Sequence, residues 1–427
     1  MDTTRRNVLK AIGSLVITGL VLRSPSATAA TRKSYKAMVL WHAGGGWDTA
    51  HCPGSARLKG GEDPAAIRVA VYGDAAANQD LIKKVGLFTC RADQPTVEQF
   101  VKDYKNELVA CIVQMPSNDH GAGTRISATG VLDETAPTIG ALFAASSPSR
   151  TPLPFIVAGG STNTGSLVPV ANLGSVRELR QVITPNQYSD DGAYFSPGVA
   201  SLKQQFQLEQ NQKLLAAAHL PSRVQALKQI IEVGASKADL TSISDSLTNE
   251  YPEGLDPVVE MLLDLIEREM VQSISLAEGG FDTHSSDGQR NLPQTMANYF
   301  GKVSTFWKRA KARGLSHKPL MVLTSEFSRT PSLNEGGGTD HWPGTNTVML
   351  LGENVRSGVI GENSDDWFAK PVNPKTLKVD DAGVVPTIGH FQSALRIILG
   401  ISPELTSRFP IQDTGIDAQA FANALTR

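Results

Sequence analysis

The chain has 427 residues, of which 41% are hydrophobic and 19% charged, and it contains 38 glycines. This composition is typical of a globular protein and excludes collagen, a coiled coil, extended disorder and a polytopic membrane protein. Because 40 Lys and Arg residues stand against 42 Asp and Glu residues, the formal net charge is only −2, and we expect no nucleic-acid partner.

The first 30 residues have the order of an export signal. Arg5 and Arg6 precede an apolar run over residues 11–22, and Ala-Thr-Ala-Ala ends the segment. This order resembles a twin-arginine (Tat) signal peptide over residues 1–30, with cleavage near Ala29 or Ala30. An uncleaved anchor would need ~20 apolar residues, so we expect no stable membrane span after the signal is removed. We expect the Tat translocase as a partner during export and a periplasmic or secreted mature protein.

Beyond the signal, short apolar runs rich in β-formers alternate with helical patterns. This alternation predicts an α/β fold with a mostly parallel central sheet flanked by helices. Runs that are apolar at consecutive positions, such as Met-Val-Leu-Trp, indicate strands buried on both faces at the sheet centre. The predicted strands cover residues 37–42, 109–115, 153–158, 271–277, 320–325 and 347–351.

Helical periodicity predominates over residues 197–268, which is too long for a single crossover, so we predict a helical insertion there. Further helices are predicted over residues 292–313 and 386–399. The three cysteines, Cys52, Cys90 and Cys111, are too few for a disulfide scaffold, although export permits one bridge. Cysteine chemistry is therefore not expected at the centre of function.

Acidic and imidazole side chains follow four predicted strands and precede a fifth. Because ligands bind at the carboxyl edge of an open α/β sheet, we expect these segments to meet at one rim. Several carboxylates in one cleft would repel one another, and a divalent cation is the usual remedy. Mixed carboxylate and imidazole ligands suit Zn²⁺, Mn²⁺ or Fe²⁺ better than Ca²⁺. The segments contain Asp48, Ser117 to His120, Asp282 with His284, Glu326, and Asp340 with His341.

The stretches 279–284, 322–331 and 338–343 resemble an uncharacterised Tat-exported domain-of-unknown-function family of the alkaline phosphatase/sulfatase superfamily. The resemblance implies an alkaline-phosphatase-like domain over residues 31–427, with the helical insertion within it. It also implies one or two divalent metal ions (Zn, Mn or Fe) and a nucleophile within residues 117–124. The implied metal ligands are Asp48, Asp282, His284, Glu326 and His341.

The chain departs from the superfamily pattern at two places. Glu326-Phe327 stands where superfamily phosphatases have Asp-His, so one ligand of the second metal is missing. Asp119-His120 stands where relatives have Ser-His, which leaves the nucleophile open. The catalytic candidates are therefore Thr124, Ser117, Asp119 and Arg125, with Arg125 or Arg329 neutralising the transferred group. The formylglycine sulfatase motif is absent, which favours a phosphoesterase.

Other residues near these motifs permit two interpretations each. His42 and His51 either line the cleft or make ordinary polar contacts, and Trp47 and Trp342 either form a wall for substrate or pack in the core. His390 is expected in the core.

Two functions are compatible with these observations. The first is an exported metal-dependent hydrolase of phosphate or sulfate esters, with a small-molecule or polymer ester as substrate. The alternative is a non-catalytic exported binding or assembly protein that keeps the fold and one metal.

The export signal gives a direct test. Replacing Arg5 and Arg6 by Lys should block export, because the signal depends on the twin arginines. Cell fractionation with N-terminal sequencing measures this, and the exported wild type should begin near Ala30 or Thr31. Unimpaired export of the double variant would contradict the Tat assignment.

Overall fold

The computed structural model describes residues 35–75, 77–147, 151–183, 186, 192–220, 223–224, 227–228, 230–231 and 255–427. The predicted signal peptide and the middle of the predicted insertion lie outside the described residues. Among the described residues, no helix is long and apolar enough to cross a membrane.

The centre of the fold is an eight-stranded sheet. Its strands are β1 (Ala37–Ala43), β4 (Leu108–Val113), β5 (Leu153–Ala158), β6 (Val170–Asn172), β7 (Val271–Glu278), β8 (Pro319–Ser325), β11 (Asn346–Leu351) and β12 (Gly358–Ile360), numbered with all described strands in chain order. They lie in the order β12-β4-β11-β8-β1-β7-β5-β6. All pairs are parallel except those of β11, which runs antiparallel to both β4 and β8. The predicted mostly parallel sheet is confirmed, and each of the six predicted strands lies within it. Two short described strand pairs lie outside this sheet: β2 (Ile82–Val85) with β3 (Phe88–Arg91), and β9 (Ser328–Arg329) with β10 (His341–Trp342).

Helices cover both faces of this sheet. Successive residues of a strand point to opposite faces, so Val39 and Trp41 of β1 join one hydrophobic cluster while Met38 and Leu40 join the other. The helices are α1 (Pro64–Tyr72), α2 (Pro95–Tyr104), α3 (His120–Thr129), α4 (Ile139–Ser146), α5 (Val176–Ile183), α6 (Pro197–Ala216), α7 (Pro257–Glu267), α8 (Ser286–Ala312), α9 (Ile388–Ile398), α10 (Pro403–Arg408) and α11 (Ala418–Leu425).

The two described long helices of the predicted insertion differ in environment. Helix α6 buries none of its residues, whereas α7 buries seven of its own, six of which join the hydrophobic cluster that contains Trp41. Helix α7 is therefore a core helix that leads into β7. The cysteines are all buried and free, so the bridge that export would permit does not form.

The reversed direction of β11 determines which loops reach the functional rim. The carboxyl ends of β1, β4, β7 and β8 share one edge of the sheet with the amino end of β11. Residues that precede β11, including His341, therefore lie beside residues that follow the parallel strands.

Close packing of α3 against the end of β8 can be tested with two helical glycines. A Cβ atom at Gly123 would lie 2.7 Å from the carbonyl oxygen of Glu326, whereas one at Gly301 would meet nothing within 4 Å. We expect Gly123→Ala to destabilise the protein by about 1–3 kcal/mol through overpacking. Gly301→Ala should stabilise it by about 0.5–1 kcal/mol, since alanine favours a helix. Denaturant unfolding measures both, and equal stability of Gly123→Ala and wild type would contradict this packing.

Candidate metal centre

Four side chains from three segments of the chain meet at the rim. The ligand atoms of His120, Asp282, His284 and His341 all lie within 4.8 Å of one another. His284 Nε2 is 2.9 Å from His341 Nε2 and 3.2 Å from Asp282 Oδ1, and His120 Nε2 is 3.7 Å from Asp282 Oδ2. The structure therefore brings three of the predicted metal ligands together and adds a fourth, His120.

The other ring nitrogen of each histidine faces an oxygen that can only accept a hydrogen bond. Two of these oxygens belong to carboxylates, and the third is a backbone carbonyl. Each Nδ1 must then carry the proton, which leaves Nε2 of a neutral ring with its lone pair. The pairs are His120 Nδ1 with Glu326 Oε1 at 2.5 Å, His284 Nδ1 with Asp340 Oδ1 at 3.0 Å, and His341 Nδ1 with the carbonyl of Asn118 at 2.7 Å.

This arrangement directs three lone pairs and a carboxylate to one place. Burial lowers the pKa of His341, as does the nearby Arg329, although the Asn118 carbonyl opposes them. His341 is therefore neutral at neutral pH, the form that binds metal. Two neutral Nε2 atoms 2.9 Å apart cannot donate to each other when both protons are on Nδ1. A divalent cation satisfies all four groups, so the donor set fits a metal ion.

Arg329 holds the carboxylate of this cluster in place. Its buried guanidinium donates to Asp282 Oδ1 at 2.7 Å and to the carbonyls of Gly45 and Gly46. Burial would raise the pKa of Asp282, but the hydrogen bond and charge of Arg329 outweigh it and lower that pKa. Arg329 thus joins the loop after β1 to the loop after β7.

Glu326 supports the cluster from behind. It is 2% exposed and accepts hydrogen bonds from His120, from His42 Nε2 at 2.9 Å and from the Gly45 amide at 2.8 Å. Burial would raise the pKa of Glu326, but the hydrogen bonds from His42 and His120 lower it to about 2. Glu326 therefore orients a ligand of the cluster, whereas the sequence predicted it as a ligand itself.

The structure places Asp48, one of the predicted metal ligands, outside the cluster. It is fully buried, its Oδ2 lies 2.8 Å from the ammonium of Lys59, and its Oδ1 accepts from the Ala50 amide at 3.0 Å. The loop after β1 turns Asp48 into the protein, and the described cluster does not include it. A strand end identifies the edge of the sheet but not the direction of each side chain.

Each of the four catalytic candidates contacts another group of the protein. Thr124 Oγ1 donates to Glu326 Oε2 at 3.1 Å, which places it behind His120. Asp119 caps α3, and Ser117 accepts from the Asp119 amide at 3.1 Å. Arg125 lies 3.4 Å from the exposed Glu134. The roles predicted for these residues remain predictions.

His120 was expected at the rim with the rest of its segment but not as a metal ligand, and the role of His42 was left open. His120 follows β4 at the same edge as the predicted ligands, as the position of the strand end leads us to expect. Its segment had been assigned to the nucleophile instead. His42 contacts Glu326 and so belongs to the site.

The remaining open residues pack elsewhere. His51 is buried against Gln94, and His390 is buried at the start of α9. Trp47 packs on Tyr299 in the core. Trp342 lies against Phe368, which is 45% exposed.

A cavity of ≈ 850 Å³ lies between β7, α7 and α8. Its lining includes Trp41, Asn298, Lys302 and the segment from Ala277 to Gly279. Gly279 is three residues before Asp282, and an extended chain spans at most ~3.5 Å per residue. One lining residue is therefore near Asp282 along the chain, but none of the four cluster residues lines the cavity.

Comparison with known families identifies the chain at the level of its family. A family model described as a protein of unknown function (DUF1501) matches residues 105–381, more than half of the chain. The chain belongs to the DUF1501 family. The match contains all four residues of the cluster and confirms the predicted membership of an uncharacterised family.

Solved structures resemble the chain at a distance. The alkaline phosphatase of the Antarctic bacterium TAB5 is 11% identical and aligns with 86% of this chain and 99% of its own, with a TM-score of 0.35. The PsFucS1 sulfatase from Pseudoalteromonas sp. is 10% identical and aligns with 93% and 74%, with a TM-score of 0.39. Ps i-CgsB bound to k-i-k-neocarrahexaose is 10% identical, aligning with 92% and 77% at a TM-score of 0.41. Likenesses this low assign no residue or activity to this chain. No curated protein matches it.

The cluster predicts metal affinity that depends on His120 as much as on the anticipated ligands. His120→Ala and His284→Ala should each lose Zn²⁺ affinity by more than the about 10- to 100-fold expected for Glu326→Gln, which removes only support. At a free Zn²⁺ concentration about 1,000 times the dissociation constant, the ion should stabilise wild type by about 4 kcal/mol.

Calorimetric titration and thermal melts with and without chelator measure these effects. His317→Ala is the matched control, because His317 is exposed and outside the cluster. If His120→Ala bound Zn²⁺ as tightly as His317→Ala, His120 would not be a ligand.

Proposed function

We propose that this DUF1501 protein is an exported metal-dependent hydrolase of phosphate or sulfate esters. The observation that supports it most is the convergence of three Nε2 lone pairs and the Asp282 carboxylate on an open rim. The side chains of His120, His284 and Asp282 are 42%, 46% and 51% exposed, so a substrate can reach the centre. The motif resemblance to the alkaline phosphatase superfamily gives the reaction class.

Asp282, His120, His284 and His341 would hold the ion, which when bound polarises an ester oxygen and lowers the pKa of water. The other residues keep these ligands in position. Arg329 fixes Asp282, Glu326 fixes His120, and the buried Phe327 packs 4.4 Å from the ring of His341.

Water is the nucleophile that fits this geometry better than Thr124. A threonine hydroxyl must lose its proton to a nearby base to attack an ester. The base beside Thr124 is Glu326, whose pKa is lowered to about 2, and such a weak base activates a hydroxyl poorly. Thr124 is then a further support for Glu326.

Of the two arginines considered, Arg125 is the better candidate to neutralise the transferred group. Arg329 has a fully buried side chain and is occupied by Asp282 and backbone carbonyls. The Arg125 pair with Glu134 is at the surface, where ion pairs are weak and exchange partners readily.

A second candidate function is a binding or assembly protein with a structural ion. Four protein ligands suffice for the closed tetrahedral shell of a structural zinc site, whereas catalytic sites usually keep one position for water. Turnover by the metal-loaded protein separates the two functions.

The test is turnover of 4-nitrophenyl phosphate, bis(4-nitrophenyl) phosphate and 4-nitrophenyl sulfate by mature protein loaded with Zn²⁺, Mn²⁺ or Fe²⁺. We expect turnover of at least one ester, its loss in chelator and in His341→Ala, and its retention in His317→Ala. Full metal occupancy without turnover of any ester would favour the binding protein.

The nucleophile is tested separately by Thr124→Val. Because water attacks in this proposal, the variant should keep most of the turnover and its bound ion. Abolished turnover with unchanged metal content would instead identify Thr124 as the nucleophile.

A further inference from the structure

The superfamily resemblance implies one or two metal ions. The described residues show whether the chain has the ligands for a second ion. Its implied ligands are Asp48 and Glu326, with Phe327 at the position where superfamily phosphatases have a histidine. A second ion would need free oxygen or nitrogen lone pairs from these residues.

Asp48 already has a cation as its partner. The Lys59 ammonium lies 2.8 Å from Asp48 Oδ2, and both side chains are 0% exposed. The same ammonium donates to the carbonyl of Thr330 and lies 5.0 Å from the ring centroid of Trp367. Asp48 and Lys59 therefore form an enclosed ion pair, and a buried carboxylate with such a partner needs no metal to balance its charge.

Glu326 has no lone pair to offer. An ionised carboxylate has about four acceptor positions on its two oxygens. Oε1 accepts from His120 Nδ1 and the Gly45 amide, and Oε2 accepts from His42 Nε2 and Thr124 Oγ1. All four positions are filled by protein donors, so a metal bond would have to displace one of them.

The ring of Phe327 occupies the space beside Glu326, and its carbon atoms cannot bind a metal ion. Its ring lies 4.4 Å from that of His341 and 5.0 Å from that of His120, centroid to centroid. On another side it lies against Gly46, where a Cβ atom would be 2.2 Å from Phe327 Cε2. The residues present do not fit a second ion.

We infer that the protein holds one divalent ion per chain, and that Lys59 is a built-in cation that compensates Asp48 in place of a second ion. The inference depends on the metal centre but not on hydrolase activity. Its test therefore uses metal content and melting temperature, which remain informative if no ester is turned over.

The primary experiment measures the metal content of wild-type protein, loaded with excess Zn²⁺ and then desalted, by elemental analysis. We expect one ion per chain. Two ions per chain would overturn the inference, and no ion would overturn it together with the metal centre.

Two variants then test the role of Lys59. The double variant Asp48→Asn/Lys59→Met removes both buried charges and should still bind one ion. Its loss of Zn²⁺ affinity should be far smaller than the about 10- to 100-fold loss expected when a residue that orients a ligand is replaced. Lys59→Met alone leaves the Asp48 carboxylate buried without a cation, so its melting temperature should fall well below that of the double variant. Loss of the ion in the double variant, as in His284→Ala, would make Asp48 a ligand and overturn the inference. The wild-type stoichiometry decides the metal count even if a variant fails to fold.

Discussion

The carboxylate of Glu326 carries a buried negative charge at the carboxyl end of β8, and the geometry of the rim follows from how that charge is compensated. A buried charge is strongly unfavourable unless hydrogen bonds satisfy it. Its donors come from the end of β1 with the loop that follows it and from α3, so two segments distant in sequence from Glu326 and from each other must meet at one side chain. The same bonds fix the ring of His120 and point its Nε2 toward the rim.

Asp282, the carboxylate on the open side of the cluster, is likewise held by a buried partner. Asp282 is tied by the buried Arg329 to the turn at Gly45 and Gly46, and that turn is closed on its other side by Phe327. Gly46 has φ +78° and has no room for a Cβ atom, so glycine is required there. The orientation of His120 and Asp282 therefore comes from the buried side chains of Glu326 and Arg329, while the His120 and Asp282 side chains themselves are exposed.

Much of this arrangement could be predicted from the sequence, because strand ends in a parallel sheet have a known meaning. Consecutive apolar residues identified the central strands, and the residues after them included Asp282, His284 and Glu326. His341 reached the rim for a reason that periodicity does not reveal, namely that β11 runs antiparallel to its neighbours.

The remaining features depend on side-chain direction and on contacts between distant segments. Asp48 follows β1 as predicted but turns inward toward Lys59, a residue eleven positions later in an irregular segment. His120 was assigned to a nucleophile segment because its neighbours resembled one. Four donors on Glu326 cannot be deduced from spacing, since they come from positions 42 to 124 of the chain.

X-ray absorption spectroscopy at the Zn K-edge of the zinc-loaded wild-type protein tests the metal centre most directly. Zinc bonds to histidine nitrogen and carboxylate oxygen are both about 2.0–2.2 Å long, and imidazole rings add scattering from their more distant atoms. We expect a first shell of nitrogen and oxygen only, with the outer scattering of three imidazoles per zinc. A spectrum with one imidazole or none would show that His120, His284 and His341 do not share an ion.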